Sequence, residues 1–393
     1  MSYDFVFVDR KNTDCLKFDF AKERGYKEDC LSYWVADMDF KTAPEILSAI
    51  HNRVEHGIFG YTGYKDHYFE AVAQWIKNNH SYDVKREWLV ETPGVVFALA
   101  TAVKAFTEPG DSVLIQPPVY YPFKNVILKN ERKVVTSPLV WKKDKNGFGR
   151  FEIDFDGFEN KIKENKVRLF ILCNPHNPGG RSWTKDELKK IADICLKHNV
   201  IVVSDEIHSD FVWKPNAHTV FASVCEQAQK ITVTCTSPSK SFNLAGLQVS
   251  NIFIADENLR KQFMSERDKT GYDEPNTLGL VAAEAAYRSG KNWFDGASEF
   301  ISSNLDFAVE YLNKNSNGKL KCKKPEATYL LWIDCSALCY DDAELNRRIK
   351  KDANLWLDPG NIFGAEGKMF QRINVATSRE YLQRGLERFV EIL

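Results

Sequence analysis

The sequence predicts an α/β fold: a large domain with a mostly parallel sheet between helices at residues 48–288, and a small α+β domain built from 1–47 and 289–393. Three observations predict it. Short apolar, β-rich runs alternate with stretches of helical periodicity through the middle of the chain, as in a sheet covered on both faces. Beyond Ser289 the order changes to a strand–helix–strand–helix tail. The chain has 393 residues, 44% hydrophobic and 27% charged, enough to bury a sizeable core without disulfides or metal staples.

Taken in order, Thr42–His56 reads as a helix with Pro44 in its first turn, where a missing N–H costs little. Val95–Phe106 and Thr277–Tyr287 are rich in alanine and other apolar residues and read as further helices. Strands are expected at Ser112–Gln116, Arg168–Cys173, Val200–Ser204, Lys230–Cys235 and Asn251–Ala255. Between the second and third, Thr184–His198 opens on a capping box of Thr184 with Glu187. Leu188, Ile191, Ala192 and Cys195 then form one apolar face. After Ser289 come a helix around Ser298–Asn313, strands at Tyr329–Asp334 and Phe370–Ala376, and a final helix from Arg379.

Composition narrows the function. With 53 basic and 54 acidic side chains the net charge is −1, which argues against a nucleic-acid binder, whose phosphate contacts need a basic excess. No apolar run approaches a membrane span. The start, MSYDFVFVDRKNTDC, has no basic segment leading into an apolar one, so no secretory signal is expected. Nine cysteines without framework spacing read as reduced thiols of a cytoplasmic protein. Cys335 with Cys339, or Cys173 with His176, lacks a second pair to complete a tetrahedral set, so no metal is expected. Phosphate-loop, dinucleotide and H-E-x-x-H patterns are absent.

The chemistry is then sought at the carboxyl ends of the strands, where open α/β sheets bind ligands. Thr92-Pro93-Gly94-Val95-Val96 leads into a helix whose free N–H groups could hold a phosphate. The run Asn174–Arg181 is either a rigid turn or a stiff frame for two asparagine donors. Asp205, in Ser204-Asp205-Glu206-Ile207-His208, tips a buried strand, where a carboxylate is costly unless paired. It serves as a helix cap or faces a cation such as a protonated heteroaromatic nitrogen. Lys240 follows the strand Lys230–Cys235; it is either solvated or an amine able to form a Schiff base. One ligand with a phosphate, a cationic ring nitrogen and a carbonyl carbon satisfies all of these edges. Pyridoxal 5'-phosphate has all three.

Four motifs in order carry a resemblance: Trp34–Phe40 (WVADMDF), Asn174–Pro178 (NPHNP), Ser204–His208 (SDEIH) and Pro238–Gln248 (PSKSFNLAGLQ). From Trp34 to Arg379 the chain resembles the fold-type I pyridoxal-phosphate enzymes, the aspartate aminotransferase superfamily, in the wording of its bacterial cystathionine β-lyase or C–S lyase branch. The resemblance implies Lys240 as the Schiff-base lysine and catalytic base, Asp205 on the ring nitrogen, Asn177 on the ring hydroxyl and Tyr120 against the ring face. It implies Gly94, Val95, Val96 and Ser237 around the phosphate, and Tyr61 reaching the phosphate of the neighbouring subunit in a homodimer with shared sites. Arg372 would clamp the substrate α-carboxylate, helped by backbone at Ala36. Two positions depart from many relatives: His208 stands where a tyrosine is common, and Gln248 where an arginine is. Both look like the lyase branch, so the implied reaction is α,β-elimination of cystathionine, cysteine or an S-substituted cysteine to thiol, pyruvate and ammonia. The alternatives are a pyridoxal-phosphate aminotransferase and a regulatory protein that binds a transcription factor and keeps residual lyase activity.

Overall fold

The computed structural model describes residues 3–393. Its centre is a seven-stranded sheet of β1 Leu89–Thr92, β2 Ser112–Ile115, β3 Lys133–Thr136, β4 Leu169–Cys173, β5 Ile201–Asp205, β6 Thr232–Thr236 and β7 Ser250–Ile254. The order across the sheet is β1-β7-β6-β5-β4-β2-β3. Only β7 runs antiparallel to its neighbours, β1 and β6; the remaining pairs are parallel. Six carboxyl ends therefore meet the amino end of β7 along one edge.

Alternation along the strands divides the core between the two faces. Val113, Ile115, Leu169, Ile171, Val203 and Val233 pack with the helix Val95–Phe106 on one side. Leu114, Phe170, Leu172 and Val202 point the other way, onto helices Phe155–Asn165 and Lys185–Lys197. The second of these helices has the expected capping box of Thr184 and Glu187.

Strands β1 and β3 escape the sequence reading for separate reasons. β3 is an edge strand, with exposed Lys133 and Thr136 interrupting its apolar pattern. β1 carries a buried Glu91, whose partner is Arg267 at 3.4 Å, far away in the chain. The helix expected around Ser298–Asn313 begins earlier and spans Lys291–Asn315, its first turns buried through Trp293, Phe294 and Ala297.

Both ends of the chain meet beside the sheet edge. Leu31–Ser32 pairs in parallel with Leu355–Trp356, and Phe370–Asn374 pairs antiparallel with Leu330–Asp334. Among the described residues no helix is long and apolar enough to cross a membrane.

Candidate active site

A cavity of about 430 Å³ opens where the strand ends converge. All the sequence-predicted site residues line it except Ser237 and Tyr61. Ser237 is buried beneath it; its hydroxyl donates to the Val249 carbonyl at 2.7 Å and accepts from the Ser239 amide at 3.1 Å, starting the short turn that carries Lys240. Tyr61 stands outside the cavity and is 95% exposed.

Each wall follows from its local sequence. β1 ends at Thr92, and Pro93-Gly94 turns into the helix Val95–Phe106, whose first N–H groups have no side-chain cap. Such an end attracts an anion. β4 runs out through Asn174 to Asn177, and the Asn177 carbonyl accepts from the Tyr120 amide at 3.1 Å. That bond ties the loop after β2 to the loop after β4. β5 delivers Asp205, and β6 delivers Lys240.

Lys240 Nζ donates to the Ala36 carbonyl at 2.6 Å, and Tyr329 donates to the same oxygen at 3.1 Å. Backbone at Ala36 thus holds the lysine amine. Burial lowers the Lys240 pKa, opposed by Asp37 and Asp205 and reinforced by Arg372. The neighbouring Ser241 hydroxyl donates to Asp210, which also accepts from Trp75 at 3.1 Å and His80 at 2.8 Å. This buried carboxylate pins the loop from behind.

The Asp205 carboxylate accepts only the Ile207 N–H, at 3.1 Å, among the described residues. Burial pushes its pKa up to about 7, against the opposing pull of that bond and of Lys240. His208 is buried with Nδ1 unpartnered; burial first, then Lys240 and Arg372, hold its pKa well below the ordinary value. The imidazole is therefore neutral. On the far wall Arg372 Nη1 donates to Asn177 Oδ1 at 2.7 Å, and Nη2 donates to the Trp34 carbonyl at 2.9 Å and to Asp358.

These residues fit pyridoxal phosphate. Asp205 is a buried carboxylate lacking a cationic hydrogen-bond partner, as a site for a protonated ring nitrogen requires. A Cβ at Gly94 would meet no protein atom within 4 Å, so the uncapped helix end beside it is open to a phosphate. The unpartnered His208 nitrogen adds a neutral polar group to the same wall.

The sign of the Asp205 shift is testable. A carboxyl group whose folded-state pKa is raised binds protons in the folded protein that the unfolded chain has lost, so stability falls as pH rises from about 4 to about 7. In cofactor-free protein, Asp205→Asn is expected to raise stability by on the order of 2–4 kcal/mol near pH 8 and to change it little near pH 4. Urea unfolding at the two pH values checks this; an equal effect at both would refute the assignment.

Sequence reasoning missed Trp34, Tyr121 and Asp358 as cavity walls, and Tyr329, which supports the Ala36 carbonyl from behind. Asp358 precedes Pro359-Gly360 and reads as turn. Its place opposite Arg372 arises from antiparallel pairing with Phe370–Asn374, which nothing near Asp358 in the chain announces.

The sequence pattern of the aminotransferase class I and II family matches residues 33–389. Cystathionine beta-lyase PatB of Bacillus subtilis is 44% identical over 380 residues, covering 97% of each chain. Among solved structures, cystalysin of Treponema denticola, which contains pyridoxal 5'-phosphate, superposes with a TM-score of 0.94 at 37% identity, covering 100% of this chain and 99% of its own. The pyridoxal-phosphate-bound C–S lyase of Staphylococcus hominis gives 0.91 at 32% identity, covering 100% and 98%.

Proposed function

The chain belongs to the aminotransferase class I and II family, and from that premise we propose that it is a pyridoxal-phosphate-dependent carbon–sulfur lyase acting on cystathionine, cysteine or S-substituted cysteines. The observation that carries the reading is the single cavity uniting Lys240, Asp205, an uncapped helix end and Arg372. Whole-chain similarity to a cystathionine β-lyase and to C–S lyases supports elimination.

When bound, pyridoxal phosphate supplies an electron sink for the pair left on the substrate α-carbon, which lets a thiolate depart from the β-carbon. The chain's own residues do the rest. The Val95 and Val96 amides, with the Ser237 turn, would hold the phosphate end. Asp205 would pair with a protonated ring nitrogen, and Tyr120 would lie beside the ring. Asn177 would bond the ring hydroxyl while its Oδ1 accepts from Arg372. Arg372 orients the α-carboxylate so that the α-hydrogen faces Lys240, whose lowered pKa makes its amine a competent base. His208, being neutral, contributes a hydrogen bond without adding charge near Lys240.

The active form is a homodimer with shared sites. Exposed Ile58, Phe59 and Tyr61 supply the apolar surface that a partner would cover, and Tyr61 then reaches the neighbour's phosphate site.

With cystathionine, thiol, pyruvate and ammonia are expected in equal amounts, with no 2-oxo acid required. Turnover that needs a 2-oxo acid and releases no thiol would make the protein an aminotransferase instead.

A further inference from the structure

The segment Trp34–Phe40 lends two carbonyl oxygens to the cavity. Trp34 accepts from Arg372 at 2.9 Å, and Ala36 accepts from Lys240 at 2.6 Å. Both functional side chains therefore rest on one short stretch of backbone, and a near neighbour of each grips that stretch. Two positions beyond Arg372, at the end of the strand Phe370–Asn374, Asn374 Nδ2 donates to the carbonyls of Val35 and Asp37, both at 2.6 Å. Three positions beyond Lys240, the Asn243 side chain donates to the Met38 carbonyl at 3.0 Å and accepts from the Met38 amide at 2.9 Å. Arg10 with Asp37 at 2.7 Å, and Lys17 with Asp39 at 2.9 Å, tie the same segment to the N-terminal stretch.

Asn374 is the contact that bears on Ala36. Its two acceptors flank that residue, so the Val35 and Asp37 carbonyls turn to the amide while the Ala36 carbonyl turns to the lysine. Asn374 is buried, and its Oδ1 accepts from the Ala376 amide at 2.8 Å. A primary amide supplies two hydrogens from one uncharged nitrogen; a hydroxyl supplies one and a carboxylate none. Residues i and i+2 of a strand share a face, so the strand that brings Arg372 to the cavity also brings Asn374 to the segment. Tyr329 is a second donor to the Ala36 oxygen, at 3.1 Å, and that carbonyl keeps a partner whenever the lysine amine leaves it.

We infer that Asn374 is a positioning residue for Lys240: by holding the carbonyls on either side of Ala36, it aims the Ala36 oxygen at the lysine amine and fixes where that amine stands to take the substrate α-hydrogen. The inference rests on the reading of Lys240 as the base and applies to elimination and transamination alike.

Asn374→Leu keeps the number and branching of the side-chain atoms and removes both donors. In cofactor-free protein, trace acetylation with acetic anhydride across pH, read by mass on the peptide containing Lys240, gives the pH at which half of that amine is free. A carbonyl acceptor favours the ammonium form. That pH should therefore fall by about one unit in Asn374→Leu, the scale of one hydrogen bond to a charged group. Asp37 also favours the charged amine, so a retreat of its carboxylate with the loosened segment acts in the same direction; Asp205 and Arg372 lie outside the segment. Ile162, buried in the helix Phe155–Asn165, does not line the cavity. Ile162→Ala should lower the melting temperature and leave the Lys240 titration in place. In holoenzyme saturated with L-alanine, which has no leaving group, exchange of the α-hydrogen with solvent deuterium should slow by roughly tenfold to a hundredfold in Asn374→Leu. An unchanged Lys240 titration in Asn374→Leu overturns the inference. So does an equal shift in Ile162→Ala, or exchange that the wild type shows and Asn374→Leu keeps at full rate. If Asn374→Leu does not fold, Asn374→Ser decides: with one donor for two carbonyls it should give a smaller shift of the same sign, and no shift overturns the inference. Failure of the base reading shows separately, as absence of exchange by the wild type while the Lys240 titration still shifts in Asn374→Leu.

Discussion

Lys240→Ala is expected to lower thiol and pyruvate release by roughly 10³-fold or more, the upper range for removing a positioned acid–base group. Alanine keeps the turn Pro238–Ser241 but removes the amine held by the Ala36 carbonyl at 2.6 Å. No other lysine lines the cavity, so nothing nearby substitutes for it. In wild-type protein, borohydride reduction after loading with pyridoxal phosphate should leave the cofactor mass on the peptide containing Lys240. The variant should still bind the cofactor, through Asp205 and the helix end, but lose it on denaturation. Labelling of a different lysine, or near-normal turnover by Lys240→Ala, would move the chemistry elsewhere.

Arg372→Ala is expected to reduce kcat/KM by about 2–4 kcal/mol of transition-state stabilisation, by analogy with desolvated charge pairs at interfaces. The α-carboxylate loses its clamp, and the α-hydrogen loses its alignment with Lys240. A second effect separates this residue from a simple ligand contact. Removing Arg372 strands Asp358 as a buried carboxylate without its counter-ion, and breaking such a pair costs roughly 3–5 kcal/mol of stability. Arg372→Ala should therefore melt earlier than wild type. Arg372→Ala combined with Asp358→Asn should recover much of the melting temperature and none of the activity. Steady-state kinetics with thermal unfolding of the three proteins checks both effects; unchanged kcat/KM in Arg372→Ala would remove it from the substrate site.

Much of the cavity was legible along the chain because its parts are punctuation at the ends of apolar runs. Asp205 ends the run Ile201–Ser204, Asn177 follows Leu169–Cys173, and Lys240 follows Thr232–Thr236. Each is a polar residue that local packing has no use for, which is why it stands out. Glu91 in β1 hid its strand for the converse reason, since a buried charge looks like a loop residue until Arg267 is seen beside it. The direction of β7 was equally hidden. Ser250–Ile254 is buried along its length, and hydrophobicity reads the same from either end.

Five of the seven central strands, the capped helices between them and the polar residues at their tips follow from the sequence alone. Those properties depend on periodicity and on groups a few residues apart. Tertiary packing alone puts the lysine amine on the Ala36 carbonyl and divides the Arg372 guanidinium among Asn177, the Trp34 carbonyl and Asp358. These contacts join segments up to 338 residues apart. They are set by how the end segments pack against the sheet edge, where the attraction between paired groups offsets the cost of taking them out of water. A linear pattern does not carry that information, because the desolvation that makes each pairing necessary exists only once the chain has folded.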